Sequence, residues 1–156
     1  VDGFKEEKGN ILFTGKTGLG KTFLSNCIAK ELIERCFSVV YLPAVEMYEI
    51  FSRDRFANDA TDEDRDRSQY LLECDLLIID DLGTELTNSF VSSQLFLCIN
   101  ERIMRRKSTI ISTNLKLENF SDTYSERTFS RIASNYRMVK LEGKDIRIQK
   151  IFLGGK

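Results

Sequence analysis

The feature that most limits what this chain can become is the run Gly-Lys-Thr-Gly-Leu-Gly-Lys-Thr at residues 15–22. It follows the apolar triplet Ile11, Leu12 and Phe13 and precedes a helix-like stretch beginning at Phe23. The run fits G-x-x-x-x-G-K-[ST] at each fixed position, in the strand, loop, helix context that the pattern requires. Gly15, Gly18 and Gly20 let the backbone curl until successive N–H groups face one point, and the helix opening near Lys21 adds the positive end of its dipole. Such a concavity suits a polyphosphate. Lys21 brings a mobile ammonium to the β- and γ-phosphates and Thr22 a hydroxyl for Mg2+, while Lys16, Thr17, Leu19 and Phe23 complete the stretch expected to touch a nucleotide. The plain alternative is a glycine-rich turn with an exposed lysine.

A loop of this kind needs a sheet to hold it, and the rest of the chain supplies one. Residues 11–14, 38–42, 75–81, 109–112 and 137–141 read as strands, and residues 21–35, 44–56, 89–107 and 125–134 as helices between them. Strands alternating with helices imply a parallel α/β sheet with right-handed crossovers. Residues 53–69 carry ten charged residues and read as a mobile loop running into a short helix. Ile146, Arg147 and Ile148 read as a terminal extended segment.

Chemistry-bearing residues fall at the strand ends, where ligands of open α/β sheets bind. The unbroken apolar run Leu76, Leu77, Ile78, Ile79 ends in Asp80 and Asp81. Asp80 is placed to orient Mg2+ and Asp81 to polarise an attacking water; adjacent aspartates before Leu-Gly also make a good turn. Asn114 ends the next apolar strand and can hold a water or the γ-phosphate, or bond its own backbone in a turn. Arg131 and Arg147 are candidates for steadying charge on a transferring phosphoryl group, although surface ion pairs would account for both.

Composition removes several classes. With 23 Lys+Arg against 24 Asp+Glu, the overall field gives no reason to expect nonspecific adhesion to nucleic acid or membrane. Four cysteines without C-x-x-C spacing and no histidine suggest neither a zinc site nor a redox pair, and fit a reducing cytoplasm. No apolar run is long enough to span a membrane and the start has no signal-peptide form, so no membrane partner is expected. The chain fits one domain, 1–156, and the lack of an initiator Met suggests a piece of something longer.

The glycine run, Leu-Leu-Ile-Ile-Asp-Asp-Leu-Gly-Thr-Glu, Ile-Ile-Ser-Thr-Asn-Leu, Glu-Arg-Thr-Phe-Ser-Arg-Ile and Leu-Glu-Gly-Lys-Asp-Ile-Arg together resemble the AAA+ ATPases of the bacterial helicase-loader group. That group includes the loaders DnaC and DnaI and the transposition helper IstB. The resemblance runs from about Gly9 to Lys150. It implies a P-loop NTPase (AAA+) three-layer α/β sandwich with a central parallel sheet and no separate helical lid domain. It further implies ATP/ADP and Mg2+ as cofactors, and nucleotide-dependent self-association into an oligomer or spiral. The implied partners are a replicative DNA helicase and single-stranded DNA. Asn114 becomes the sensor-1 residue, Arg131 an arginine finger reaching a neighbour's nucleotide, and Arg147 the sensor-2 arginine. Two departures stand out: Asp81 replaces the glutamate most AAA+ proteins carry there, and the sequence starts just before the first strand, as expected of a fragment that lacks the loaders' amino-terminal helicase-binding domain.

Arg102, Arg105, Arg106 and Lys107 form a basic cluster suited either to single-stranded DNA or to the negative end of a helix dipole. Glu85 is a candidate to steer Arg102 or a partner's residue. Tyr41, Tyr48 and Phe51 fit the core better than base stacking. The expected function is ATP-dependent loading of a replicative helicase. A transposition helper ATPase, a P-loop small-molecule kinase and a nonhydrolysing nucleotide-binding adaptor remain as alternatives.

Overall fold

A computed structural model describes residue 4, residues 9–57 and residues 59–147. In chain order the elements are β1 (Asn10–Thr14), α1 (Lys21–Glu34), β2 (Val39–Pro43), α2 (Ala44–Phe56), α3 (Asp62–Glu73) and β3 (Leu76–Leu82). They continue with α4 (Ser89–Met104), β4 (Ser108–Thr113), α5 (Leu117–Tyr124), α6 (Glu126–Asn135) and β5 (Tyr136–Lys140). The strands form one parallel sheet in the order β2-β3-β4-β1-β5. As the alternating pattern demands, the sheet is covered on both faces. Leu76 and Ile78 of β3 join Phe13, Ile110 and the α1 residues Ala29 and Leu32 in one core. Leu77 and Ile79 point the other way, into a larger core with Leu12, Ile111 and side chains of α2, α4, α5 and α6. Three layers result, and Tyr48 and Phe51 lie in the larger core as expected, whereas Tyr41, on the edge strand β2, is exposed and belongs to neither core.

Helix α2 ends at Phe56 as expected, and the short helix expected at the end of residues 53–69 is α3, which starts at Asp62, spans 12 residues and takes up most of the expected loop. Its start is fixed by a reciprocal cap: the Asp64 N–H donates to Thr61 Oγ1 at 3.2 Å while the Thr61 N–H donates to Asp64 Oδ2 at 3.0 Å. High charge counts against a core element, not against a surface helix that buries only Ser68 and Leu71. Helix α5 also escaped the sequence reading, although it buries Phe120 and Tyr124. Ile146 and Arg147 take helical geometry, not the expected extended form, and Ile148 lies outside the described residues.

The basic cluster at the end of α4 is split by burial. Helix α4 stops at Met104, and Arg102 is 0% exposed. Its five guanidinium contacts reach Thr109 Oγ1 at 3.0 Å, Leu71 O at 2.6 Å, Cys74 Sγ at 3.4 Å, Cys74 O at 3.2 Å and Ser108 O. Leu71 and Cys74 carry carbonyls that the C-terminal end of α3 leaves without helical partners. Arg102 therefore caps α3 from a distance and is unavailable to DNA. Nor does Glu85 steer it: Glu85 accepts the Gly83 N–H at 2.9 Å and the Tyr124 hydroxyl.

Candidate nucleotide-binding site

The strand order decides which residues meet. β1 lies beside β4, with Thr14 opposite Thr113, so the loop leaving β1 starts next to Asn114. β3 lies on the other side of β4, and its register shifts between Ile79 and Leu82. That irregularity turns Asp81 out of the ladder with φ 53, a left-handed conformation that costs a non-glycine residue about 1 kcal/mol. Asp80 stays behind it, 7% exposed.

The glycine loop has the curled backbone expected of it, with φ of 143 at Gly15, 81 at Gly18 and 91 at Gly20. Gly18 is constrained twice, since a Cβ there would meet the Asp145 carboxyl carbon at 2.0 Å. Segment 141–147 lies directly over the loop: the Leu141 N–H donates to Thr14 O at 2.7 Å and the Ile146 N–H to Gly18 O at 2.9 Å. That contact carries Arg147 to the site, where its Nε lies 3.6 Å from Asp145 Oδ1.

Lys21 is 5% exposed, and its ammonium donates to Gly15 O at 2.7 Å, Lys16 O at 2.9 Å and Asn114 Oδ1 at 2.6 Å. Burial draws its pKa below the ordinary lysine range, while the charges of Asp81 and Asp80 work against that shift. A cation held by neutral oxygens at a helix start favours an incoming anion. One turn of side chain away, Thr22 Oγ1 donates to Asp80 Oδ2 at 3.0 Å. The other Asp80 oxygen accepts the Ser112 hydroxyl, and Ser112 Oγ in turn accepts the Asp81 N–H at 3.0 Å.

A cleft of about 660 Å³ lies against this junction, with Asp80 behind Thr22 and not among the residues that line it. Thr17, Gly18, Gly20, Lys21, Thr22 and Phe23 line it from the loop and α1, and Asp81, Asn114 and Arg147 from the other elements. Gly15, Lys16 and Leu19 line a neighbouring cleft across the loop, which shares Asn114. The Leu19 side chain is buried, leaving its backbone as the part that can face a ligand. Arg131 is not brought here. It sits exposed on α6 and makes no ion pair among the described residues.

The donor set fits a hard divalent cation that takes most of its ligands from phosphate and water. Thr22 and Asp80 present adjoining oxygens, and the buried Asp80 carboxylate has hydroxyl donors but no cation against it among the described residues. A protein-only metal cluster is not what they offer, since no group of three or more His, Cys, Asp or Glu converges among the described residues. Three contributors went unread in the sequence. Asn26 and Ile146 line the cleft from α1 and from the 141–147 segment. Ser112 carries no local signal of its role, since β4 also buries Ser108, Thr109 and Thr113.

The family model described as "IstB-like ATP binding protein" matches residues 2–151. The chain is 26% identical over 132 residues to the replicative helicase loader DnaC of Escherichia coli strain K12, an alignment covering 85% of this chain and 53% of the loader. It is 23% identical over 154 residues to a protein of insertion sequence IS232, named for ATP binding, from Bacillus thuringiensis subsp. berliner; this covers 96% of the chain and 60% of that protein. The chain thus spans little more than half the length of these curated relatives. Among solved structures, that of a DnaC helicase loader superposes with a TM-score of 0.75 at 23% identity, over 88% of this chain and 80% of the other.

Proposed function

The chain belongs to the IstB-like ATP-binding protein family, and from that premise we propose that it is an ATP-hydrolysing switch that loads a replicative DNA helicase onto single-stranded DNA. The observation that carries the switch reading is the junction at Lys21. One buried ammonium ties the loop carbonyls of Gly15 and Lys16 to Asn114 at the end of the neighbouring strand. Phosphate oxygens arriving in the curl of the loop replace those carbonyls as acceptors, so occupancy of the loop is felt at Asn114. Gly15, Gly18 and Gly20 give the backbone room to approach the phosphates, and the N-terminus of α1 adds its dipole. Thr22 and Asp80 hold the Mg2+ that, when bound, neutralises charge on the β- and γ-phosphates. Asp81, exposed at the cleft, holds the attacking water. Arg147 reaches the phosphates from the segment lying over the loop.

Arg131, exposed and away from its own cleft, acts on the nucleotide of a neighbouring copy, so that subunits assemble head to tail and hydrolysis loosens the joint. The similarity to DnaC supports the helicase as partner. A second reading, a transposition helper that remodels duplex DNA, draws on the relative from an insertion sequence, which aligns with 96% of the chain. Capture assays separate the two. Immobilised replicative helicase should retain the protein with ATP and release it with ADP, and single-stranded DNA should raise ATP turnover. Turnover raised by duplex DNA, with no nucleotide-dependent capture by helicase, would replace the first reading with the second.

A further inference from the structure

The hydroxyl of Tyr41 is the part of the site that no nucleotide-contacting role explains. Tyr41 lies on β2, the edge strand of the sheet, and pairs with Ile78 in the ladder, two residues before Asp80. Its side chain is on the same face as Asp80, and its hydroxyl donates to Asp80 Oδ2, the oxygen that also accepts from Thr22. The residue is 36% exposed, so its ring is not a core side chain whose hydroxyl happens to be buried. Packing alone would be served by phenylalanine.

The register puts Pro43 of β2 opposite Asp80 and Tyr41 two residues earlier, on the same face of the sheet as the carboxylate. Among the described residues the Asp80 carboxylate is held by hydroxyls from three elements: Thr22 of α1, Ser112 of β4 and Tyr41 of β2. Thr22 can donate its proton to Asp80 while offering a lone pair to a metal, and Ser112 occupies the far oxygen. Tyr41 is then the donor that fixes the near oxygen from the edge of the sheet, so that the carboxylate cannot rotate away.

We propose that Tyr41 is a positioning residue that holds Asp80 in the orientation needed to bind Mg2+ beside Thr22. The inference rests on the proposed metal role of Asp80. Partners that orient a metal ligand from behind commonly govern metal affinity by about 10–100-fold. Here phosphate oxygens supply much of the coordination, so the expected loss is about 3–10-fold.

The test compares wild type, Tyr41→Phe, Asp80→Asn and the double variant, each saturated with the nonhydrolysable analogue AMPPCP and titrated with Mn2+ under electron paramagnetic resonance. Nucleotide affinity is measured separately in EDTA. Tyr41→Phe should weaken Mn2+ binding about 3–10-fold, leave EDTA affinity within about twofold, and recover turnover at high Mg2+. In the Asp80→Asn background it should weaken Mn2+ binding no further. Unchanged Mn2+ affinity in Tyr41→Phe, an equal loss in both backgrounds, or an equal loss of metal-free nucleotide binding would each overturn the Tyr41 role. If Asp80→Asn itself leaves Mn2+ affinity unchanged, the metal reading of Asp80 fails first and takes this inference with it.

Discussion

Replacing Arg102 by alanine is expected to threaten the fold without touching the nucleotide cleft. The guanidinium supplies donors to the carbonyls of Leu71, Cys74 and Ser108, all inside a region where Arg102 itself is 0% exposed. A buried carbonyl stripped of its donor costs about 1–3 kcal/mol, so three of them at the lower end come to about 3 kcal/mol. The vacated space adds a packing loss, and water entering it recovers part of the carbonyl cost, since a polar cavity of side-chain size admits solvent. The net expectation is about 3–5 kcal/mol, a large share of the about 5–15 kcal/mol that holds a domain together. Arg102→Lys should lose about half as much, because one ammonium cannot span a planar fork. Urea unfolding of these variants beside Arg105→Ala and Arg106→Ala measures this, with the exposed pair expected within about 0.5 kcal/mol of wild type. If Arg102→Ala kept wild-type stability and instead lost affinity for single-stranded DNA, the buried cap would be refuted and the basic-cluster reading restored.

Asp81→Asn should keep Mg·ATP binding and slow hydrolysis by about 10²-fold or more, whereas Asp80→Asn should shift the Mg2+ requirement itself; identical binding losses in both variants, restored by omitting metal, would undo that division. Arg131→Ala should leave nucleotide affinity intact and abolish the dependence of turnover on protein concentration. Mixed with Lys21→Ala it should regain activity, and a mixture that assembles by light scattering yet is no more active than its parts would refute a finger acting between copies. Burial raises the pKa of Asp75, but hydrogen bonds from the Ser38 side chain and N–H and the ion pair with Lys107 outweigh it, holding the carboxyl at about 2. Because the folded value is depressed, this stabilisation is present above about pH 4 and is lost as pH falls toward 2. With the side chain a quarter exposed it amounts to about 1–2 kcal/mol, so acid unfolding should be shallower over that window in Asp75→Asn.

Local patterns with strong steric or periodic requirements were legible in the sequence. The glycine loop, the apolar strand ending at Asp80 and the two-sided core follow from spacing alone, because φ above zero and period-2 burial restrict which residues can stand where. What escaped depended on tertiary partners. The short helix expected before Leu71 proved longer, α3, because its far end is held by Arg102, which is 29 residues beyond its last residue, Glu73. Arg102 looked like a surface cation because nothing local announces that carbonyls of α3 and β4 converge on it. Tyr41 and Ser112 became visible only when the order β2-β3-β4 set their hydroxyls on either side of Asp80. Arg147 reached the site through the contact between Ile146 and Gly18, which neither residue type implies.

The claim beneath all of this is that Lys21 and the loop around it hold the phosphates of ATP, and calorimetric titration of the protein with Mg·ATP tests it most directly. Wild type should bind with a clear heat and Lys21→Ala should show none at the same concentrations, since the loop's N–H groups would remain but the buried charge that meets the phosphates would be gone. Equal affinity and equal turnover in the two proteins would contradict the account at its base.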